Sequence, residues 1–149
     1  KAQEVPVGRM VDDTEAWADM LADRISKVEK SGFYRWHDSG DLQGRMHFAA
    51  IVRIANALPG IRFWLPTKEK AIVAEFLRLG YLLPDNLIVR VSSAMVDQAP
   101  NDNFTNTSTV HKNAAPFGVE CQAYKQGGKC GQCRACWDKS IPNISYPQH

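Results

Sequence analysis

The sequence predicts an α/β domain: a parallel sheet with flanking helices, as an open sheet or a partial barrel, plus a C-terminal cysteine-ligated metal segment. Two observations predict the sheet. Short apolar runs alternate with amphipathic patterns in the order strand, helix, strand, helix, strand, and the connections between them are short. A third predicts the metal segment, because all four cysteines fall at Cys121, Cys130, Cys133 and Cys136. The 149 residues, 44% hydrophobic and 23% charged with a net charge of +2, suffice to bury a core. This composition excludes a disordered tail, a collagen-like fibre and a strongly basic nucleic-acid binder. No apolar run approaches the roughly 18 residues that a membrane-spanning helix needs.

Residues 1–96 are expected to hold the βαβαβ core with a leading helix. Residues 1–11 show no periodicity and read as a lead-in. Asp12 followed by Glu15 forms a capping-box pattern, and Trp17, Met20, Leu21, Ile25 and Val28 recur at helical spacing. A helix over 13–30 follows, closed by Ser31-Gly32. Phe33 to His37, bounded by Gly32 and the turn Asp38-Ser39-Gly40-Asp41, reads as the first strand. Phe48, Ile51, Val52 and Ala55 mark a helix over 43–57 that Pro59-Gly60 ends. Ile61 to Leu65 form the second strand, Thr67 caps a helix over 68–79, and Leu87 to Val91 form the third strand after Pro84-Asp85-Asn86. Residues 97–116, rich in Asn, Thr, Asp and Pro, read as a surface loop excursion with one short strand near Thr107–His111. Residues 117–149 are the metal-binding segment, packed on the same domain and ending in a polar, proline-bearing tail. His111 and His149 stand alone and are expected on the surface.

Clustered cysteines in a chain whose first 120 residues contain none favour a metal site in a reducing compartment over a disulfide scaffold. Cys130, Cys133 and Cys136 form a CxxCxxC run, with Cys121 upstream as a fourth ligand. Four thiolates suit a 4Fe–4S iron–sulfur cluster or tetrahedral zinc. The strict three-residue spacing resembles a ferredoxin run and favours the cluster, with zinc as the alternative. Gly127, Gly128 and Gly131 let the backbone wrap, and Trp137 can shield one face from water. A loaded site adds −2 to the formal charge, so the mild basicity offsets an inorganic anion and says little about nucleic acid.

Parallel sheets place their chemistry at the carboxyl ends of the strands. The first strand ends in a dense polar cluster, which makes His37, Asp38 and Asp41 the catalytic candidates, with His37 a general acid or base. Alternation puts Arg35 and His37 on one face, opposite Tyr34 and Trp36. Arg35, Lys68 and Arg90 are the ligand-binding candidates. Arg90 lies mid-strand, where an unpaired charge is costly, so it is expected to meet a carboxylate or a ligand. Asp38 or Asp41 pairing with Arg35 or Arg90 is the structural alternative. No GxGxxG, Walker A, HExxH or GxSxG pattern occurs.

FYRWHDSGDLQ, IRFWLPTKE, NLIVRVSSAMVD, CGQCRACWD and NISYPQH together resemble a phage-encoded family, the mycobacteriophage gene product eighty-eight type, from about residue 32 to the C-terminus. The resemblance implies a phage origin and the cytoplasm of an infected bacterial host. A more distant likeness is to radical S-adenosylmethionine enzymes, with parallel partial barrels, a polar motif after an early strand and auxiliary clusters near the C-terminus. HDSGDL at 37–42 and Cys121 through Cys136 carry that likeness, while the defining CxxxCxxC run is absent. The expected protein is thus a phage iron–sulfur protein on a radical-SAM-like scaffold, with a small molecule or host macromolecule as partner and no membrane. The alternative is a zinc-stabilised module binding a host protein or nucleic acid. Its support is the balance over 111–139, with Lys112, Lys125, Lys129, Arg134 and Lys139 against Glu120 and Asp138.

Overall fold

Six strands form one sheet in which every pairing is parallel, and the sheet curls into a half-barrel. The structure is a computed structural model that describes residues 7–36 and 41–148, with side chains from 14 onward. In chain order the elements are α1 (Val7–Val28), β1 (Phe33–Arg35), α2 (Arg45–Ala57), β2 (Arg62–Thr67), α3 (Lys70–Arg78) and β3 (Leu87–Ser92). After them come β4 (Thr107–His111), β5 (Val119–Glu120) and β6 (Asn143–Pro147), with 3-10 turns at Ala123–Gln126 and Ala135–Trp137. The strand order is β1-β2-β3-β4-β6-β5.

Alternation along β2 and β3 sorts the two faces. Phe63, Leu65, Leu87, Val89 and Val91 form one core with Ala18 and Ile25 of α1, Phe48, Ile51 and Ile54 of α2, and Val73 of α3. The interleaved Trp64 and Ile88 turn to the other face, where they form a second core with Ile144 and Cys136. All three described helices therefore cover one face, and the cysteine segment covers the other. Successive strands with helices on one side only wind in a single direction, which curls the sheet and selects the partial barrel over the open sheet.

Several expectations are corrected. The first helix begins at Val7, so Asp12 lies inside it and is not its cap. Val7, Met10 and Val11 extend the helical spacing of Thr14 and Trp17 upstream, and the pattern carries the helix back through the supposed lead-in. β1 stops at Arg35. Thr67 ends β2, with its hydroxyl accepting a hydrogen bond from the Glu69 amide at 3.0 Å ahead of α3. The short strand expected at Thr107–His111 is present as β4, but it lies between β3 and β6 and not at the surface, with Thr107, Ser108, Thr109 and His111 buried. The polar tail contains β6, which is inserted between β4 and β5. His111 is 8% exposed and so is not a surface residue; its Nδ1 lies 2.7 Å from the Ser145 hydroxyl and its Nε2 3.1 Å from Glu120. Among the described residues no helix is long and apolar enough to cross a membrane.

Candidate functional site

A cavity of about 680 Å³ opens at the carboxyl ends of β1 to β4 and β6. Its walls come from opposite ends of the sheet. Arg35 follows from β1 and Lys68 from the end of β2, while Cys121, Cys130 and Cys136 come from the segment across the β6 side. Between them stand the hydroxyls of Ser92 on β3 and Ser108 on β4, which the β3–β4 register makes neighbours and which lie 2.7 Å apart. The Arg35 guanidinium lies over the Trp64 ring at 4.9 Å, a cation–π contact that holds its head on the cavity side of the sheet.

Not every expected residue joins this cavity. His37 and Asp38 lie outside the described residues. Asp41 binds the start of the next layer instead, accepting from the Thr67 hydroxyl and from the Lys68 and Leu42 amides, the latter two at 2.8 and 2.7 Å. Its carboxylate pairs with neither Arg35 nor Arg90 among the described ion pairs. Arg90 is fully buried and does not line the cavity. The expected carboxylate is replaced by six backbone carbonyls, those of Thr107, Ala135, Cys136, Asp138, Ile141 and Pro142. A planar guanidinium with five N–H donors can satisfy so many divergent carbonyls, which a lysine cannot. Burial still pulls its pKa below the ordinary arginine value, with the charges of Cys136, Tyr146 and Asp138 acting the other way.

This arginine holds the cysteine segment in place. Around it Trp137 stacks edge-on against Trp64 and Phe33, at 5.2 and 5.6 Å, and its indole N–H donates to the Tyr34 carbonyl at 3.1 Å. Cys136, 8% exposed, has its sulfur 3.1 Å from the Tyr146 hydroxyl, and burial pushes its thiol up to about 11. Burial also raises the Tyr146 phenol, with the nearby Cys136 adding to the effect. Cys121 follows β5 and is half-buried, while Cys130 and Cys133 are exposed on a loop whose Gly127, Gly128 and Gly131 have φ of +68°, +77° and +59°.

Three of the four cysteines thus share one cavity, and Cys133 does not line it. Among the described residues, no group of three or more His, Cys, Asp or Glu side chains is gathered closely enough to hold a metal ion. A preformed four-cysteine centre, as the spacing suggested, is not what the fold presents. The physical reason lies in their attachments, since Cys136 is packed into the core while Cys130 and Cys133 ride the outer loop.

Spacing in the sequence missed two contributors to the cavity. Ser108 lies on the short strand expected near Thr107–His111 but is not among the candidates, and Tyr146 lies in the stretch read as tail. The signal available for both was a β-branched or aromatic alternation in TSTVH and NISYP, masked by polar residues. The protein-family model described as Gene product 88 matches residues 7–139. No curated protein and no solved structure matches the chain.

Proposed function

We propose that this chain, which belongs to the Gene product 88 family, is a phage iron–sulfur protein that holds a 4Fe–4S cluster on its cysteine segment and binds a small molecule in the adjoining cavity. The observation that carries the reading is the convergence of Cys121, Cys130 and Cys136 on one cavity at the strand ends. Soft thiolates in a CxxCxxC run suit iron–sulfur ligation. The residues that would hold the cluster are Cys121, Cys130, Cys133 and Cys136. The glycines between Gly127 and Gly131 give the loop carrying Cys130 and Cys133 the backbone freedom to close on the other two. Bound there, a cluster supplies one-electron transfer. The chain's own residues do the rest: Arg90 fixes the carbonyls of 135–142, and Trp64, Trp137 and Ile144 exclude water around Cys136. The radical-SAM likeness contributes architecture alone, since the parallel half-barrel with a strand-end cavity is present and the CxxxCxxC run is not.

The test is anaerobic purification with iron and sulfide analysis. Bound iron and sulfide, with broad visible absorbance that dithionite bleaches, are expected. Serine at Cys121, Cys130 or Cys133 should each lower the iron content. A colourless anaerobic protein carrying stoichiometric zinc overturns the cluster in favour of the zinc-stabilised binding module, and a metal-free protein overturns both.

A further inference from the structure

The cavity's charge is one-sided. Arg35 and Lys68 both line it, and no aspartate or glutamate does among the described residues. Neither cation belongs to any ion pair among the described residues. Asp41, which binds the Lys68 amide, has its oxygens on the Thr67 hydroxyl and on the Lys68 and Leu42 amides. Two cations facing the same cavity, without an ion-pair partner among the described residues, raise the local concentration of anions there.

The remaining groups add shape to that charge. The Arg35 guanidinium sits over the Trp64 ring at 4.9 Å, and it carries no hydrogen bond to another described residue, so its fork of N–H groups can grip two oxygens at once. Ser92 and Ser108 share a single hydrogen bond at 2.7 Å, so one of the two hydroxyl protons remains available to a ligand. Trp64, Met95, Tyr124 and Tyr146 supply apolar and aromatic surface, and about 680 Å³ falls within the range of small-molecule sites. We infer that this cavity binds a small organic anion, a phosphate monoester or carboxylate with a planar or apolar body. Its charged head lies between Arg35 and Lys68 over the Ser92–Ser108 pair. Its body lies toward Tyr124 and the cysteine wall. The inference names the ligand class for the small-molecule cavity proposed above, and it rests on that cavity without requiring the cluster.

Calorimetric titration of the whole chain with phenyl phosphate at low ionic strength tests it, on the protein as purified and after reconstitution with iron and sulfide. Binding that weakens as salt rises is expected, while phenol, the uncharged counterpart, does not bind. Arg35→Gln and Lys68→Gln should each weaken binding about tenfold, or about 1.4 kcal/mol. Arg35→Lys should fall between wild type and Arg35→Gln, since it keeps the charge and loses the fork. Both side chains are exposed, so the variants should keep the wild-type thermal midpoint. Phenol binding as well as phenyl phosphate overturns the inference, as does wild-type affinity in both glutamine variants or no binding at millimolar phenyl phosphate. Binding by a protein that takes up no iron upholds the anion site while the cluster reading falls. An iron-loaded protein that ignores phenyl phosphate does the opposite.

Discussion

Asp97 is the one described residue other than glycine with a left-handed backbone, at φ +62°. The conformation is costly for an L side chain and persists because the surroundings hold it. Its carboxylate accepts from the Lys112, Ala114 and Asn113 amides at 2.8, 3.1 and 3.1 Å, tying the loop after β3 to the loop after β4. Those amide bonds, led by Lys112, hold the Asp97 carboxyl below its ordinary value. A carboxyl with a depressed folded-state pKa binds fewer protons folded than unfolded. Its contribution is therefore complete above the unfolded value near 4 and is lost as pH falls through the folded value. Asp97→Asn, which points an amide donor at backbone donors, should be less stable than wild type at pH 7. The gap should narrow on acidification below about pH 4. Urea midpoints measured across that range check it, and a gap independent of pH counts against the assignment.

Among the elements, β4 is expected only as a short strand in a surface loop and β6 not at all, and their chemistry explains both their stability and the poor visibility of their place in the core. They pair over five residues each, from Thr107 opposite Asn143 to His111 opposite Pro147. On one face the buried groups are almost all polar, and they satisfy one another across the pair. The Thr107 hydroxyl donates to the Asn143 side-chain oxygen at 2.8 Å, while the Asn143 amide donates to the Thr109 hydroxyl at 2.9 Å and the Phe117 carbonyl at 2.7 Å. Buried polar groups are tolerated when every partner is present and are costly when one is removed. Asn143→Ala should therefore destabilise the chain by about 2–3 kcal/mol, read from the denaturation midpoint. Gly118 sits in the same place: its φ is +72°, and a Cβ there would stand 2.9 Å from the Asn143 carbonyl oxygen. Its lack of a side chain is what lets the 117–118 turn press against β6.

Across the molecule, a helical layer and a cysteine layer meet on one sheet, and Arg90 joins the sheet to the second layer. Its carbonyl partners lie from 17 to 52 residues away in sequence. Replacing it by Met removes the charged donor that all six share, although the Ala135, Asp138, Ile141 and Pro142 oxygens keep a second one, and should cost about 3 kcal/mol. Arg90→Lys, with three donors in place of five, should lose less. Limited proteolysis is expected to cut the released 121–141 segment in the Met variant, and wild-type resistance there would contradict the clamp. The first half of the fold was readable in order: the positions of α2, β2, α3 and β3 follow from apolar periodicity, because each element's burial pattern repeats along its own residues. Of the candidate residues, Arg35, Lys68, Cys121, Cys130 and Cys136 line the cavity. Asp41 and Arg90, expected beside them, do not line it, the short strand expected at Thr107–His111 is buried in the sheet and not at the surface, and β6 lies in the stretch read as tail. Those errors have one origin. A strand of polar residues becomes core only when a distant strand supplies its hydrogen-bond partners, and a buried arginine becomes a clamp only when distant carbonyls surround it. Periodicity is a local property written in the chain, whereas the satisfaction of a buried polar group depends on what folding brings to its side.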